Sequence, residues 1–547
     1  MTCGTGKSSG AGVPVLHVNS FFFRKARRFY PKKFQLQVPD FQNVPVSKDI
    51  LFFPNDQTMT FINLLPMKNI CSLFLLFFFL NVSIGQTIYV NYAATGGNED
   101  GTSWADAFTD LKSALQAAAA GDTVWAATGI YLPATDGDRN KRFELASGAV
   151  LLGGFAGHET AAWQRDWQAN PTVLSGDIGV PGDSTDNSYT ILYLFKPDST
   201  TVVDGFFFER GMAFLNTGFS GEPATSGGAL FIDGKGGDAY PRIWNCHFSH
   251  NHALAGGGAV YVDGSSGGSV APQFFNCTFL QNSSGGPGGA ICRLGGSWAE
   301  VENDFWQCRF EKNRAGTHGG GIYFQDTERL DRIEFVQCEF VENLATSHGS
   351  GICFFGGRQT GSRSYISDCV FSHNTSDSIL NNDCHFLSFT LSFFKEVVFR
   401  NCQFNSNFGS VYTDIFSSGL SLPMHYDNCV SNKRLLLFYE FGGVIKISNS
   451  TFSGNEVSSG IIRTSSSIDY IENNLFKDNA LVPAISQGNL FLRFIHKGSP
   501  GRTVLKNCIF ESNNFGQEGI LTNLNATGID SIINCTFINN RELQTGW

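Results

Sequence analysis

At 547 residues the chain is too long for one ordinary core and calls for several domains or a repeat array. Its 52 Phe make it too apolar for disorder, its 61 Gly have no three-residue period and so exclude collagen, and a net charge of −10 argues against a nucleic-acid binder. The 14 Cys include no CxxC pair, which argues against a zinc finger or ribbon.

In chain order, residues 1–66 stand apart, with 8 Lys/Arg against 3 Asp and no periodicity. They read as a mis-assigned start or a long leader. Met67-Lys68-Asn69 then precedes the apolar run Ile70–Leu80, and Ser83-Ile84-Gly85 places small residues where a signal peptidase reads them. Residues 67–85 are therefore expected to be a signal peptide, since eleven apolar residues are too few to span a bilayer. From Gln86 the chain carries 29 Lys/Arg and 45 Asp/Glu, so an acidic exported protein is expected.

Residues 86–225 read as an N-terminal cap and the first coils. Ile88–Val90 suggests a strand. Ser103-Trp104-Ala105-Asp106 suggests a capped helix start, with Phe108, Leu111, Leu115 and Ala118 at helical spacing and Gly121 as the stop. Strands are expected at Thr123–Ala127, Ala149–Leu152, Tyr189–Phe195 and Thr201–Phe208, with a turn at Gly153–Phe155.

Residues 226–547 repeat. An amide residue, Cys, any residue, Phe, two residues and Asn recur as NCHFSHN (Asn245–Asn251), NCTFLQN (Asn276–Asn282), QCRFEKN (Gln307–Asn313) and onward to NCTFINN (Asn534–Asn540). There are eleven copies, counting a degenerate one at Asn428-Cys429; the first five lie 30 or 31 residues apart and the later ones 21 to 34. Interleaved with them are GGALF at Gly227, GGAVY at Gly257, GGAIC at Gly288, GGIYF at Gly320 and SGICF at Ser350.

A period near 30 built from short β-rich runs lacks the Leu framework of leucine-rich repeats and is too short for propeller blades. It fits an all-β fold, a right-handed parallel β-helix with a short N-terminal capping helix. Each repeat position then becomes a column. Phe248, Phe279, Phe310 and their equivalents would stack through the core, and Ile243, Phe274 and Phe305 would form a second apolar column, with a bend or bulge between the two. The closing Asn suits an amide ladder and a left-handed turn, and the Gly pairs suit the other corner. Nine of the twelve Cys after Gln86 share one position, and Cys292 and Cys353 share another. Stacked side chains on parallel strands have parallel Cβ vectors, so these read as buried thiols rather than disulfides.

The GGA[I/L/V] and FxxN half-motifs over about residues 226–540 resemble the polymorphic outer-membrane protein repeat. GTSWADAFTDLKSAL, GDTVWAATGIY, LLGGFAGHE and QRDWQANPTVLSGDI (Gln164–Ile178) resemble the opening of secreted right-handed β-helix proteins of the pectate-lyase-like class. The resemblance implies that the helix at Ser103–Ala119 caps the solenoid, and that the protein is displayed on a Gram-negative surface through a C-terminal anchor. The chain departs from that pattern, ending at Trp547, seven residues after the last FxxN, so a truncated C-terminus or a partner-capped last coil is expected.

Candidate chemistry is sparse. Arg309 over Glu339 and Lys312 over Glu342 read as cross-strand pairing. His318 and His348 share a column and read as an exposed turn. Asp177, Asp183 and Asp186, in a loop with Gly turns, form a candidate Ca²⁺ site, with a solvated acidic turn as the alternative. No other cofactor is expected. A secreted or surface-displayed, non-catalytic adhesin or glycan-contacting scaffold is the expected function. Its expected partners are an extracellular glycan or a host or cell-surface protein, not nucleic acid, with outer-membrane association through the missing anchor. The alternative is a polysaccharide lyase or glycoside hydrolase, which would gather Asp, Glu, Lys or Arg from three adjacent coils within about 6–10 Å.

Overall fold

The computed structural model describes residues 85–541 except 217–220, 266, 296–303, 327–331, 357–361, 377–384, 391–393, 408–409, 415–423, 428, 433–437, 441–443, 458–461, 465–467, 482–491, 496–501, 515–520 and 525–530. Residues 1–66, the signal segment up to Ile84, Cys384, Asn428 and 542–547 lie outside the described residues.

The β-branched and aromatic runs form short strands that pair with their equivalents one coil away, and every pairing is parallel. Sheet A runs from β1 (Thr87–Val90) and β2 (Thr123–Ala127) to Ser531–Ile533. Sheet B runs from Gly129–Tyr131 to Thr536–Ile538, and sheet C from Phe143–Leu145 to Leu521–Leu524. A short sheet D, from Met212–Ala213 to Thr375–Ser376, lies between B and C in the middle coils. The chain visits A, B, D where present, then C, and climbs one coil. This is the expected parallel β-helix.

The helix is shorter than expected. α1 is Leu111–Ala117, and its N-cap is Asp110, whose carboxylate accepts the Lys112 and Ser113 amides. Ser103 and Asp106 do exchange hydrogen bonds, but as a local turn. Phe108 cannot be helical because its backbone bridges β1, donating to the Tyr89 carbonyl and accepting from Asn91. Leu111, Ala114 and Leu115 of α1 are buried in the core beside the edge strands. The Gly153–Phe155 turn is likewise part of a strand, Val150–Phe155, with Gly154 at φ 90° beside a register shift against β2.

The expected bend between the two apolar columns is a full corner. Ile243 is the inward residue of the sheet A strand Arg242–Trp244, Asn245 turns the chain at φ 50°, Cys246 lies inside the corner, and Phe248 is the inward residue of the sheet B strand His247–Ser249. The same left-handed residue recurs as Asn276, Gln307, Gln337 and onward, at φ 50–58°. A second one falls just before each closing Asn (Gln281, Lys312, Glu342). The closing Asn itself is not left-handed, contrary to expectation, because its side chain is committed to the interior. Asn313 Nδ2, for example, donates to the Phe279 carbonyl at 2.9 Å and to Asn343 Oδ1 at 3.0 Å.

Within the core, Phe208, Phe248, Phe279, Phe310, Phe340 and Phe371 stack at 4.7–4.9 Å between centroids with planes within 9°. Each buried ring contributes about 1.5–3 kcal/mol. The glycine corner is required sterically. Gly257 lies at φ 61°, and a Cβ there would meet the Val260 carbonyl at 2.1 Å. The fourth and fifth copies are shifted by one from their expected phase: Ile322 pairs with Ile291, so Gly319-Gly320 is the corner and Gly321 takes the Ala position.

Candidate functional site

Alternate residues of sheet C face outward, so Glu144, Tyr193, Phe231 and Tyr261 share one outer column, and Asp233 and Asp263 stack in a second. The Tyr193 hydroxyl donates to Asp233 Oδ2 at 2.6 Å. Lys235 Nζ lies 3.1 Å from Asp263 Oδ2 and 3.8 Å from Glu222 Oε1, and donates to the Gly221 carbonyl. Burial works against the Lys235 ammonium, but Asp263, Glu222 and Asp233 outweigh it and hold its pKa above the ordinary lysine value. Burial and the bond to Asp233 both push the Tyr193 phenol upward. The Tyr261 hydroxyl is buried without a hydrogen-bond partner and its residue is 2% exposed. One coil before Tyr193, Arg142 lies 4.1 Å over its ring and pairs with Glu144.

Sequence reasoning missed this cluster, since its members precede or straddle the first clear repeats. It draws charge from the coils of Glu144, Asp233 and Asp263, with only a tyrosine from the coil between. Each cation faces a carboxylate, so the arrangement is a chain of ion pairs rather than an acid and a base held apart.

The three loop aspartates are each bound locally. Asp177 pairs with Arg210 at 2.5 Å and accepts the Gly182 amide; Asp183 accepts the Thr185 amide and hydroxyl; Asp186 accepts the Val180 amide through Oδ2. Asp186 Oδ1 is buried without a hydrogen-bond partner. Among the described residues, no group of three or more His, Cys, Asp or Glu is placed to hold a metal ion.

His318 and His348 do meet, their rings stacked at 5.5 Å, but not as an exposed turn. Both are half-buried, with Tyr323 and Phe355 stacked beside His318. They border a small outer cluster of Phe231, Tyr261, Cys292, Tyr323 and Cys353, which holds the second Cys column. Arg309 pairs with Glu339 and with Glu311, and Lys312 lies 3.7 Å from Glu342, as the columns imply.

The corner between sheets A and B carries a further surface. The left-handed amides bond along the axis: Asn276 Nδ2 donates to Asn245 Oδ1 at 2.8 Å, and Gln307 Nε2 to Gln337 Oε1 at 3.1 Å. Beside them Trp244, Phe275 and Trp306 form an outer aromatic column, half-buried, with centroids 6.5 and 4.8 Å apart. The repeat marked these amides; the rings recur just before them at the same 31-residue spacing, a signal that the motif reading left unused.

Residues 276–292 and 307–325 match the model of the Chlamydia polymorphic membrane protein (Chlamydia_PMP) repeat. Each match runs from a corner amide, through the Phe and Asn columns, to the sheet C strand of the same coil. No curated protein matches the chain. Among solved structures, PfbA, a surface adhesin of Streptococcus pneumoniae, aligns at 12% identity over 83% of this chain and 92% of that one, with a TM-score of 0.22.

Proposed function

We propose that the chain, of which residues 276–292 and 307–325 match the polymorphic membrane protein repeat, is a surface-displayed, non-catalytic β-helix that makes adhesive contacts with glycans or proteins outside the cell. The observation that carries this reading is the contrast between faces of one strand. In sheet B the inward position is Phe from coil to coil, while the outward position beside it runs His247, Thr278, Arg309, Glu339, Val370, Gln403. A constant core under a changing exterior is how solenoids present extended binding surfaces. The outward charges of this column, Arg309 and Glu339, also close into a pair instead of leaving an acid or base poised for proton transfer.

A second reading, a carbohydrate-active enzyme, is favoured by the cluster of Tyr193, Asp233, Asp263, Lys235 and Glu222. The test is to assay purified residues 86–547 for release of unsaturated or reducing sugars from polysaccharides, alongside adhesion of chain-coated beads to cultured cell monolayers. Adhesion without sugar release supports the scaffold. Sugar release abolished by Asp263→Asn overturns it.

A further inference from the structure

We propose that the aromatic and amide ridge at the corner between sheets A and B binds an extended neutral glycan, which rests on the adhesive reading and gives it a ligand class and a place. Two independent columns converge there. Trp244, Phe275 and Trp306 offer ring surface on three successive coils, and Asn276, Gln307 and Gln337 beside them are exposed. Aromatic rings pack against the apolar C–H faces of sugars, and carboxamides supply both donors and acceptors for hydroxyls. A ladder bond uses one of the two N–H groups of each donating amide.

The charge pattern sets the ligand class. Arg165 at one end of the ridge pairs with Asp204, whose other oxygen accepts from Asn245 at 2.7 Å. On the coil of Trp306 itself Arg309 is closed by Glu311 and Glu339, and above Gln337 the amide column continues with Asp368, which accepts from Asn401 Nδ2 at 2.9 Å. The rings and amides of the ridge are themselves uncharged, and the chain from Gln86, with 29 Lys/Arg against 45 Asp/Glu, repels polyanions. Over these three coils its chemistry repeats about every 4.8 Å, close to the length of one pyranose ring, so successive sugars of an extended chain meet equivalent groups.

The experiment uses residues 82–547, one compact unit. Chitohexaose, maltohexaose and mannohexaose are titrated, with heparin and hyaluronan as polyanion comparators, by calorimetry and tryptophan fluorescence. At least one neutral hexaose is expected to bind and change the fluorescence. Phe275→Ala and Trp306→Ala should each weaken it at least tenfold. Asn276→Gly, which keeps the left-handed turn, should weaken it about fivefold, and Thr451→Ala on a distant coil should leave it unchanged. Circular dichroism and urea midpoints establish that each variant is folded. Binding of no neutral hexaose, binding of polyanions alone, or neutral binding indifferent to folded Phe275→Ala and Trp306→Ala overturns the proposal. Bead adhesion that survives those outcomes leaves the adhesive reading standing; loss of adhesion by the wild-type chain removes both.

Discussion

A single buried amide shows how much one side chain carries in a stacked fold. Asn343 accepts the Asn313 backbone N–H at 3.1 Å and its Nδ2 at 3.0 Å, and donates to the Phe310 carbonyl at 2.8 Å and to Asn374 Oδ1 at 3.0 Å. Asn343→Ala orphans groups on two neighbouring coils at once, and the expected loss is about 3 kcal/mol, read from urea unfolding. Asn343→Asp keeps the acceptor yet loses the donor and adds a buried charge, so it should not rescue. His318 works through its proton. Burial, then the His348 ring, hold its pKa below the ordinary histidine value. A base whose folded pKa is depressed adds stability above its unfolded pKa of about 6.5 and loses it as pH falls through the folded value. The urea midpoint should therefore drop between pH 7 and pH 5. Part of that slope belongs to His247, His252 and His425, whose pKa values are also lowered. His318→Phe, which keeps a ring between Tyr323 and His348, should make the drop measurably shallower.

At the scale of a column, identical side chains one coil apart share one environment and therefore one response. Cys277 donates its thiol to the Ile243 carbonyl at 3.2 Å, and Cys308, Cys338, Cys369 and Cys402 repeat that bond upward. Burial pushes Cys246 up to about 12 and Cys508 up to about 11. A raised folded pKa stabilises below the unfolded pKa near 9 and is lost as pH rises through the folded value, at about 1.4 kcal/mol per pH unit per thiol. Stability should thus fall steeply from pH 9 to 11, and the buried column thiols from Cys246 to Cys508 should resist a disulfide reagent at pH 8 until urea opens the chain, unlike the half-exposed Cys535; fast labelling of the buried column at pH 8 would contradict its burial. The columns were legible because a solenoid turns repeat position into stacking position: Phe279, Cys277 and Asn282 each announce a neighbour above and below. What lay hidden was conformational or non-periodic. Which residue turns left-handed depends on where the Asn amide points, and Phe108 left the helix for a bridge no local signal announces. GGGIYF admits two phases until Ile322 meets Ile291. The sheet C cluster joins Tyr193, Asp233, Asp263 and Lys235 from coils whose sequences differ. Ser431 marks the opposite case, a column broken in sequence as in space: it stands where Phe404 and Phe452 stack on either side and bonds to Asn455 instead.

The whole molecule behaves as a sum of coils, because each one touches only the coils beside it. Spacings between laddered Asn residues of 31, 31, 30, 31 and 33 leave the columns intact, since extra residues are absorbed between strands. Phase matters more than length. Phe275 and Trp306 are partners in adjacent coils. Deleting Asn276–Trp306 therefore joins Phe275 to Gln307 with every column in step, and it places Gln273–Phe275 where Phe305–Trp306 had paired with Phe335 and Val336. It also removes Arg293 and Asp304 together, so the fully buried guanidinium, which burial pulls down to about 9 against the pull of Asp304, leaves with the carboxylate that raises it. This one-coil deletion is expected to fold and to unfold in a single urea transition close to that of the parent. Deleting Asn276–Phe305 removes one residue fewer yet leaves Trp306 as an extra residue at the corner, which must either bulge or push Cys308 and Phe310 out of their columns. That variant should unfold at clearly lower urea and be cut faster by protease. Equal stability of the two deletions would mean that stacking register does not hold this solenoid together.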